Sequence, residues 1–349
     1  MQKQILTVMD NLFDPNGIGI SNGNYFGLPV SCEDARIVLL SVPWDVTTSY
    51  GSGASKAPDA MIDASLQIDL WDHHNHEGWK EGIGTLPIDE DMLLESRHLR
   101  NEAERVIWHL ENGGATSDEY AQRKLRKIND ASVKVNKYVY EQANEWLDKG
   151  KIVGLVGGDH STPFGLIQAL AERNPGMGIL QIDAHADLRE CYEGFEYSHA
   201  SIMYNSLTKF EGVGRLVQVA TRDLCDEEVQ MANDDPRIFQ FDDYSLKANA
   251  FDGMTWKEQC EQIIDKLPEK VYVSFDIDGL SPDNCPSTGT PVPGGLSFHE
   301  AVYLIDAISR SGRTIIGFDL NEVVPSKHNQ WDANVGARML YKLCNITLK

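Results

Sequence analysis

The sequence predicts an α/β protein built on a mostly parallel sheet with helices on both faces, and three observations carry that prediction. Short runs rich in Val, Ile and Leu alternate with longer amphipathic segments from residue 151 to residue 344, the order expected of βα units. The runs are continuously apolar, as strands covered on both faces are. Three of them, at 151–156, 178–182 and 270–275, lead directly into groups of His and Asp. In such sheets functional side chains gather beyond the carboxyl ends of the strands.

Taken in order, residues 1–35 read as an ordered cap. Turn formers are dense in Asp14-Pro15-Asn16-Gly17 and Asn22-Gly23-Asn24, and Phe13, Tyr25 and Phe26 give the segment something to bury. Arg36 to Val42 is a buried-strand run ended by Pro43, and a helix starting near Pro58 runs through Met61, Ile62 and Leu66. Between about 88 and 150 the pattern is helical. Leu99, Ala103, Val106, Ile107 and Leu110 repeat at helical spacing until Gly113-Gly114, and Leu125, Ile128, Val135, Val139, Ala143 and Trp146 repeat until Gly150. Thereafter the expected elements are strand 151–156, helix 163–173, strands 178–182 and 215–220, helix 255–266, strand 270–275, helix 297–311, strand 313–318 and helix 332–344. No boundary divides the chain, so residues 1–349 are read as one domain with a cap at 1–35 and a helical insertion at about 88–150.

Composition narrows the partners. A net charge of -22 argues against a nucleic-acid backbone or an anionic membrane. No apolar stretch approaches the roughly 18 residues of a membrane helix, and the first residues lack the apolar core of a secretory signal. The six cysteines are scattered with no CxxC pair, which fits free thiols and a cytoplasmic location.

The chemistry lies in three clusters: Gly157-Gly158-Asp159-His160-Ser161, Asp183-Ala184-His185-Ala186-Asp187 and Ser274-Phe275-Asp276-Ile277-Asp278. If the chain stays extended past residue 182, Asp183, His185 and Asp187 project to one side. Carboxylates and imidazoles at that density are costly to bury without a cation. The topology brings His160, Asp183, His185, Asp187, Asp276 and Asp278 together as ligands for two divalent ions. Oxygen-rich donors with some imidazole and no thiolate suit Mn²⁺, and a paired site supplies hydroxide at neutral pH.

The segments GGDHS at 157–161, DAHADLR at 183–189, SHAS at 198–201, SFDIDGLSP at 274–282, TGTPVPGG at 288–295 and GFDLNEVVP at 317–325 resemble the arginase/agmatinase family of ureohydrolases. The resemblance spans about residues 36–346. It implies a three-layer α/β fold, a homo-oligomer (trimer or hexamer), and hydrolysis of a small cationic guanidino compound to urea and an amine. It also implies that one metal takes His160 and Asp187, the other His185 and Asp278, with Asp183 and Asp276 bridging. By the same resemblance Asp187 orients the attacking hydroxide, His199 shuttles protons, and Glu322 pairs with the guanidinium. Asp159 stands beside a ligand as support, and Thr290 shapes the pocket floor.

Departures from the arginase pattern bear on the substrate. Leu188-Arg189-Glu190-Cys191-Tyr192-Glu193-Gly194 replaces the Asn-containing arginase segment, and Cys225 stands near the place of an arginase acid. Both point away from arginine and toward agmatine, giving putrescine. Trp44 and Val46 in VPWDVTTSYGSG, with Tyr25, Phe26 and Trp331, raise an alternative. If one of these aromatics narrows the pocket, free guanidine is the substrate and Ni²⁺ the alternative metal. Guanidinobutyrate is a further candidate. The reading of a different class is a catalytically silent polyamine-binding relative, against which stands the presence of all six ligands.

Overall fold

A computed structural model describes residues 13–349. The first part of the cap expected at 1–35, residues 1–12, therefore lies outside the described residues. Eight strands form one sheet: β1 (Ile37–Ser41), β2 (Ile83–Thr85), β3 (Ile152–Val156), β4 (Met177–Ile182), β5 (Val213–Val219), β6 (Ile238–Phe241), β7 (Lys270–Asp276) and β8 (Thr314–Asn321). All pairings are parallel, in the order β2-β1-β3-β8-β7-β4-β5-β6. Among the described residues ten α-helices cover it: α1 (Ala57–Ser65), α2 (Glu90–Glu111), α3 (Glu119–Asp148), α4 (Phe164–Arg173), α5 (Ile202–Lys209), α6 (Asp226–Asp234), α7 (Asp243–Phe251), α8 (Trp256–Lys266), α9 (Phe298–Arg310) and α10 (Trp331–Thr347).

Strand parity sorts the core into two apolar layers. Ile37 and Leu39 face one layer with α1, α8, α9 and α10, while Val38 and Leu40 face the other with α2, α3, α4 and α5. The parallel sheet with helices on both faces predicted from the alternation, and the three-layer α/β fold implied by the resemblance, are thus present. Helix starts follow local chemistry: Asp89 accepts from the Met92 amide at the head of α2, and Thr255/Glu258 and Ser297/Glu300 form reciprocal caps on α8 and α9. The remainder of the cap is ordered. Tyr25 donates its amide to Thr85 Oγ1, and its hydroxyl meets Ser41 Oγ at 3.0 Å.

Five elements carry no clear signal in the sequence: β2, β6, α5, α6 and α7. They are short, three to nine residues, and too brief to show periodicity. Three polar residues inside the strands are also accounted for by packing. Gln181 (β4), Gln218 (β5) and Gln240 (β6) are in register across the sheet. Gln240 Nε2 donates to Gln218 Oε1 at 2.9 Å, and Gln218 Nε2 donates to Gln181 Oε1 at 2.6 Å and to the Ala186 carbonyl at 2.7 Å. Each buried amide is thereby satisfied without interrupting the strands.

Candidate active site

The four central strands, β3, β8, β7 and β4, are contiguous in the sheet, and every expected ligand follows or ends one of them. His160 lies beyond β3, Asp183, His185 and Asp187 lie beyond β4, Asp276 ends β7 with Asp278 in the 3₁₀ turn after it, and Glu322 follows β8. The backbone segments must approach closely to meet. Gly158 makes this possible: a Cβ there would stand 1.9 Å from the Trp44 carbonyl oxygen.

His160 Nδ1 lies 2.9 Å from Asp183 Oδ2, 3.0 Å from Asp187 Oδ2 and 3.4 Å from Asp276 Oδ2. His185 Nδ1 lies 3.1 Å from Asp278 Oδ2 and 3.5 Å from Asp183 Oδ1. Two groups of three therefore converge, His160 with Asp183 and Asp276, and Asp183 with His185 and Asp278, the ligand atoms of each within 4.8 Å of one another. Asp183 belongs to both and offers a different oxygen to each. Asp276 stands in the first group only, its Oδ1 accepting from the Asp278 amide at 2.8 Å.

The extended geometry expected for Asp183 to Asp187 does not hold throughout. β4 ends at Ile182, and Asp187 turns into the left-handed region at φ 55°. Its carboxylate reaches His160 by that turn and not by strand alternation. Glu322 is likewise left-handed, at φ 61°. Strain of about 1–3 kcal/mol per such residue persists only where surroundings hold it. Around Asp187 they do: its carbonyl accepts from the Met203 and Tyr204 amides, both at 3.1 Å, and the next amide, of Leu188, donates to Glu228 Oε1 at 3.1 Å.

A polar layer beneath the cluster fixes orientation. His160 Nε2 lies 2.9 Å from Ser274 Oγ, and that hydroxyl donates to Asp319 Oδ1 at 3.1 Å. This arrangement turns His160 Nδ1 toward the cluster and leaves Nε2 as the donor. Gln181 Nε2 donates to Asp183 Oδ2 at 2.8 Å, tying the glutamine row to the cluster. Asp159 is fully buried and accepts from the Thr47 amide and hydroxyl and from Ser161. The Thr47 hydroxyl in turn accepts from the His199 amide at 3.0 Å.

The electrostatics are those of carboxylates forced together. Burial and the adjacent Asp183 push Asp187 up to about 7. Burial, then Asp278 and Asp183, lifts Asp276 well above the carboxylate range. Burial works against the charge of Asp183 too, yet His160 and His185 hold it below its ordinary value. Burial and then the charges of His185 and His160 drive His199 down, to about 3, so its imidazole is neutral at working pH. His160 Nδ1 and Asp187 Oδ2 are buried without a hydrogen-bond partner despite their 3.0 Å approach. Among the described residues the ion-pair partners of these aspartates are histidines alone. Such a donor set fits a pair of hard to borderline divalent ions.

A cavity of about 380 Å³ opens onto the cluster. His185, Asp187, His199 and Thr290 line it, with Arg189 and Tyr192 from the segment that departs from the arginase pattern; Ser49, Tyr50, Asp223, Leu224, Glu228 and Val292 line it too, and sequence reasoning missed them. Thr290 Oγ1 lies 3.4 Å from Asp278 Oδ2. Glu322 is buried behind this wall: Oε1 accepts from the His160 amide at 2.9 Å, and Oε2 has no partner. The aromatic lid raised as an alternative is corrected. Trp44 shares parity with Leu40 and Val42 and is buried with them in the apolar layer, at 1% exposure. Tyr25 and Phe26 belong to the opposite layer, and Trp331 is on the surface. None of the four lines the cavity. Tyr50 and Tyr192 are the aromatics that do.

Strand ends that gather two histidines and four aspartates in a parallel α/β sheet define a candidate centre for a pair of metal ions. A model of the Arginase family matches residues 35–345, and the chain belongs to that family, one of binuclear-metal enzymes acting on amidino C–N bonds. It is 32% identical over 308 residues to an N(1)-aminopropylagmatine ureohydrolase of Thermus thermophilus, 88% of either chain. To the agmatinase of Bacillus anthracis it is 27% identical, over 84% of this chain and 86% of that one. Its fold is similar to that of the agmatine ureohydrolase of Thermoplasma volcanium, with TM-score 0.70 and 22% identity over 98% of this chain and 97% of the other.

Proposed function

We propose that this ureohydrolase cleaves agmatine to putrescine and urea at a pair of Mn²⁺ ions. One observation carries the reading: Asp183 is shared, through different oxygens, by two buried ligand groups that open onto one cavity. Oxygen-rich donors without thiolate favour Mn²⁺ over softer ions. His160, Asp183, His185, Asp187, Asp276 and Asp278 would hold the pair. When bound, the ions supply hydroxide from water at neutral pH and offset developing negative charge.

The chain's own residues do the rest. Asp187, held in its left-handed turn, faces both cluster and cavity and orients the attacking oxygen. Glu322 offers Oε2, its one uncommitted oxygen, to a guanidinium N–H, and Gly289 sets no side chain against that oxygen, where a Cβ would stand 3.4 Å away. His199, neutral and within 3.4 Å of Ser49 Oγ, accepts a proton at Nε2 and delivers it to the leaving amine. Thr290 supports Asp278 from the cavity wall.

The burial of Trp44 removes the feature that favoured free guanidine, and a cavity of this size is ample for a longer substrate. The relatives' names add N(1)-aminopropylagmatine as a second amine-bearing candidate. Urea release from agmatine, N(1)-aminopropylagmatine, guanidinobutyrate, arginine and guanidine, measured with Mn²⁺- and Ni²⁺-loaded protein, tests the reading. The highest kcat/KM is expected for agmatine with Mn²⁺. Turnover of arginine alone overturns the substrate assignment, and two ions bound with no turnover of any of them overturns the enzyme reading.

A further inference from the structure

We infer that Asp223 reads the far end of the substrate, accepting the terminal ammonium of an aminoalkylguanidine whose guanidinium lies at the cluster. The inference rests on the ureohydrolase reading above and names the residue that selects the amine. Asp223 lines the same cavity as His185 and Asp187, is exposed, and has no hydrogen-bond or ion-pair partner for its carboxylate among the described residues.

The other charges on that wall are committed. Glu228 is buried, with Oε1 accepting from the Leu188 amide and Oε2 from the Cys225 amide, each at 3.1 Å. Arg189 lies over the Tyr192 ring at 4.6 Å and 3.7 Å from Glu228. Asp187 faces His160. Asp223 is thus the carboxylate left to meet a cation entering from solvent.

Its backbone is fixed although its side chain is free. The amides of Arg222 and Asp223 both donate to the Ala184 carbonyl, at 2.7 and 3.1 Å, and His185 and Asp223 form a parallel bridge. The Arg222 guanidinium locks the same corner by donating to the carbonyls of Ala220, Asp278, Leu280, Val292 and Pro293. Gly295 leaves room for it, since a Cβ there would stand 2.9 Å from Arg222 Nη2. The separation of the His185 and Asp223 backbones is therefore held, so the Asp223 carboxylate can range only over the reach of its short side chain, a span narrow enough to read chain length.

The test compares agmatine with butylguanidine, which has the same guanidinium and chain but no amine, and with guanidinobutyrate, which ends in a carboxylate. Steady-state kinetics are measured on the Mn²⁺-loaded wild type and on Asp223→Asn. The expected result is that the preference in kcat/KM for agmatine over butylguanidine falls about tenfold in the variant, mainly through KM, the size of one charge-assisted hydrogen bond. Guanidinobutyrate is expected to gain relative to agmatine, and Asp223→Glu to restore part of the preference. An equal loss on agmatine and butylguanidine, or no change in their ratio, overturns the inference while leaving the ureohydrolase reading intact. A wild type that hydrolyses no guanidino compound overturns both.

Discussion

The floor and the lip of the cavity are built in different ways. The floor comes from strand ends, with His160, Asp183, Asp276 and Asp278 each at 5% side-chain exposure or less, and the sheet supplies partners from below through Ser274, Asp319 and Gln181. The lip comes from loops at 49–50, 189–200, 222–224 and 290–292, where Tyr50 is 83% exposed. His185 belongs to both, a member of the second group with 24% of its side chain exposed. Chemistry placed on strands tolerates little adjustment, whereas selection placed on loops can vary without disturbing it.

The floor can be broken at the residue its two groups share. Asp183→Asn removes charge from both groups, and urea release is expected to fall on the order of a thousandfold or more, with metal content dropping from about two per chain by elemental analysis. A milder change sharpens the role of the layer beneath. Ser274→Ala strips His160 Nε2 of its partner, and affinity for a divalent metal is expected to fall about 10–100-fold, read by titrating activity against free metal. The lip should respond least, and through stability more than turnover. Burial pushes Glu193 up to about 7, and its Oε2 is enclosed without a partner. Below the ordinary glutamate range the carboxyl is protonated folded and unfolded alike. As pH rises from about 4.5 toward 7, the unfolded chain ionises first, so stability is lost across that window. Glu193→Gln is expected to match the wild-type Tm at pH 4 and exceed it at pH 8; equal Tm differences at both would show that burial of this charge is not the cause.

This contrast also explains what was legible in the sequence. Each floor residue adjoins an apolar run, so strand prediction and topology placed His160, Asp183, Asp276 and Asp278 together. The lip draws on segments 49–50, 189–200, 222–224 and 290–292, which nothing local connects; within DLCDEE no spacing sets Asp223 or Glu228 apart from the neighbouring acids. Trp44 misled because its chemistry suits a pocket, while its parity with Val42 and Leu40 directs it into the core. Asp187 reached its expected place by a left-handed turn that a non-glycine residue does not announce. Ser274 and the three glutamines carried a faint signal, as polar residues inside runs that otherwise read as buried strands.

The glutamine row has a direction. Gln240 donates to Gln218, Gln218 to Gln181, and Gln181 to the Asp183 carboxylate, so three amide dipoles point the same way and polarise one another. Their positive ends add at the one oxygen-bearing group that both ligand sets share. The outermost strand thereby has an electrical say in the centre of the sheet: a side chain on β6, remote from the cavity, acts through two others on the Asp183 carboxylate.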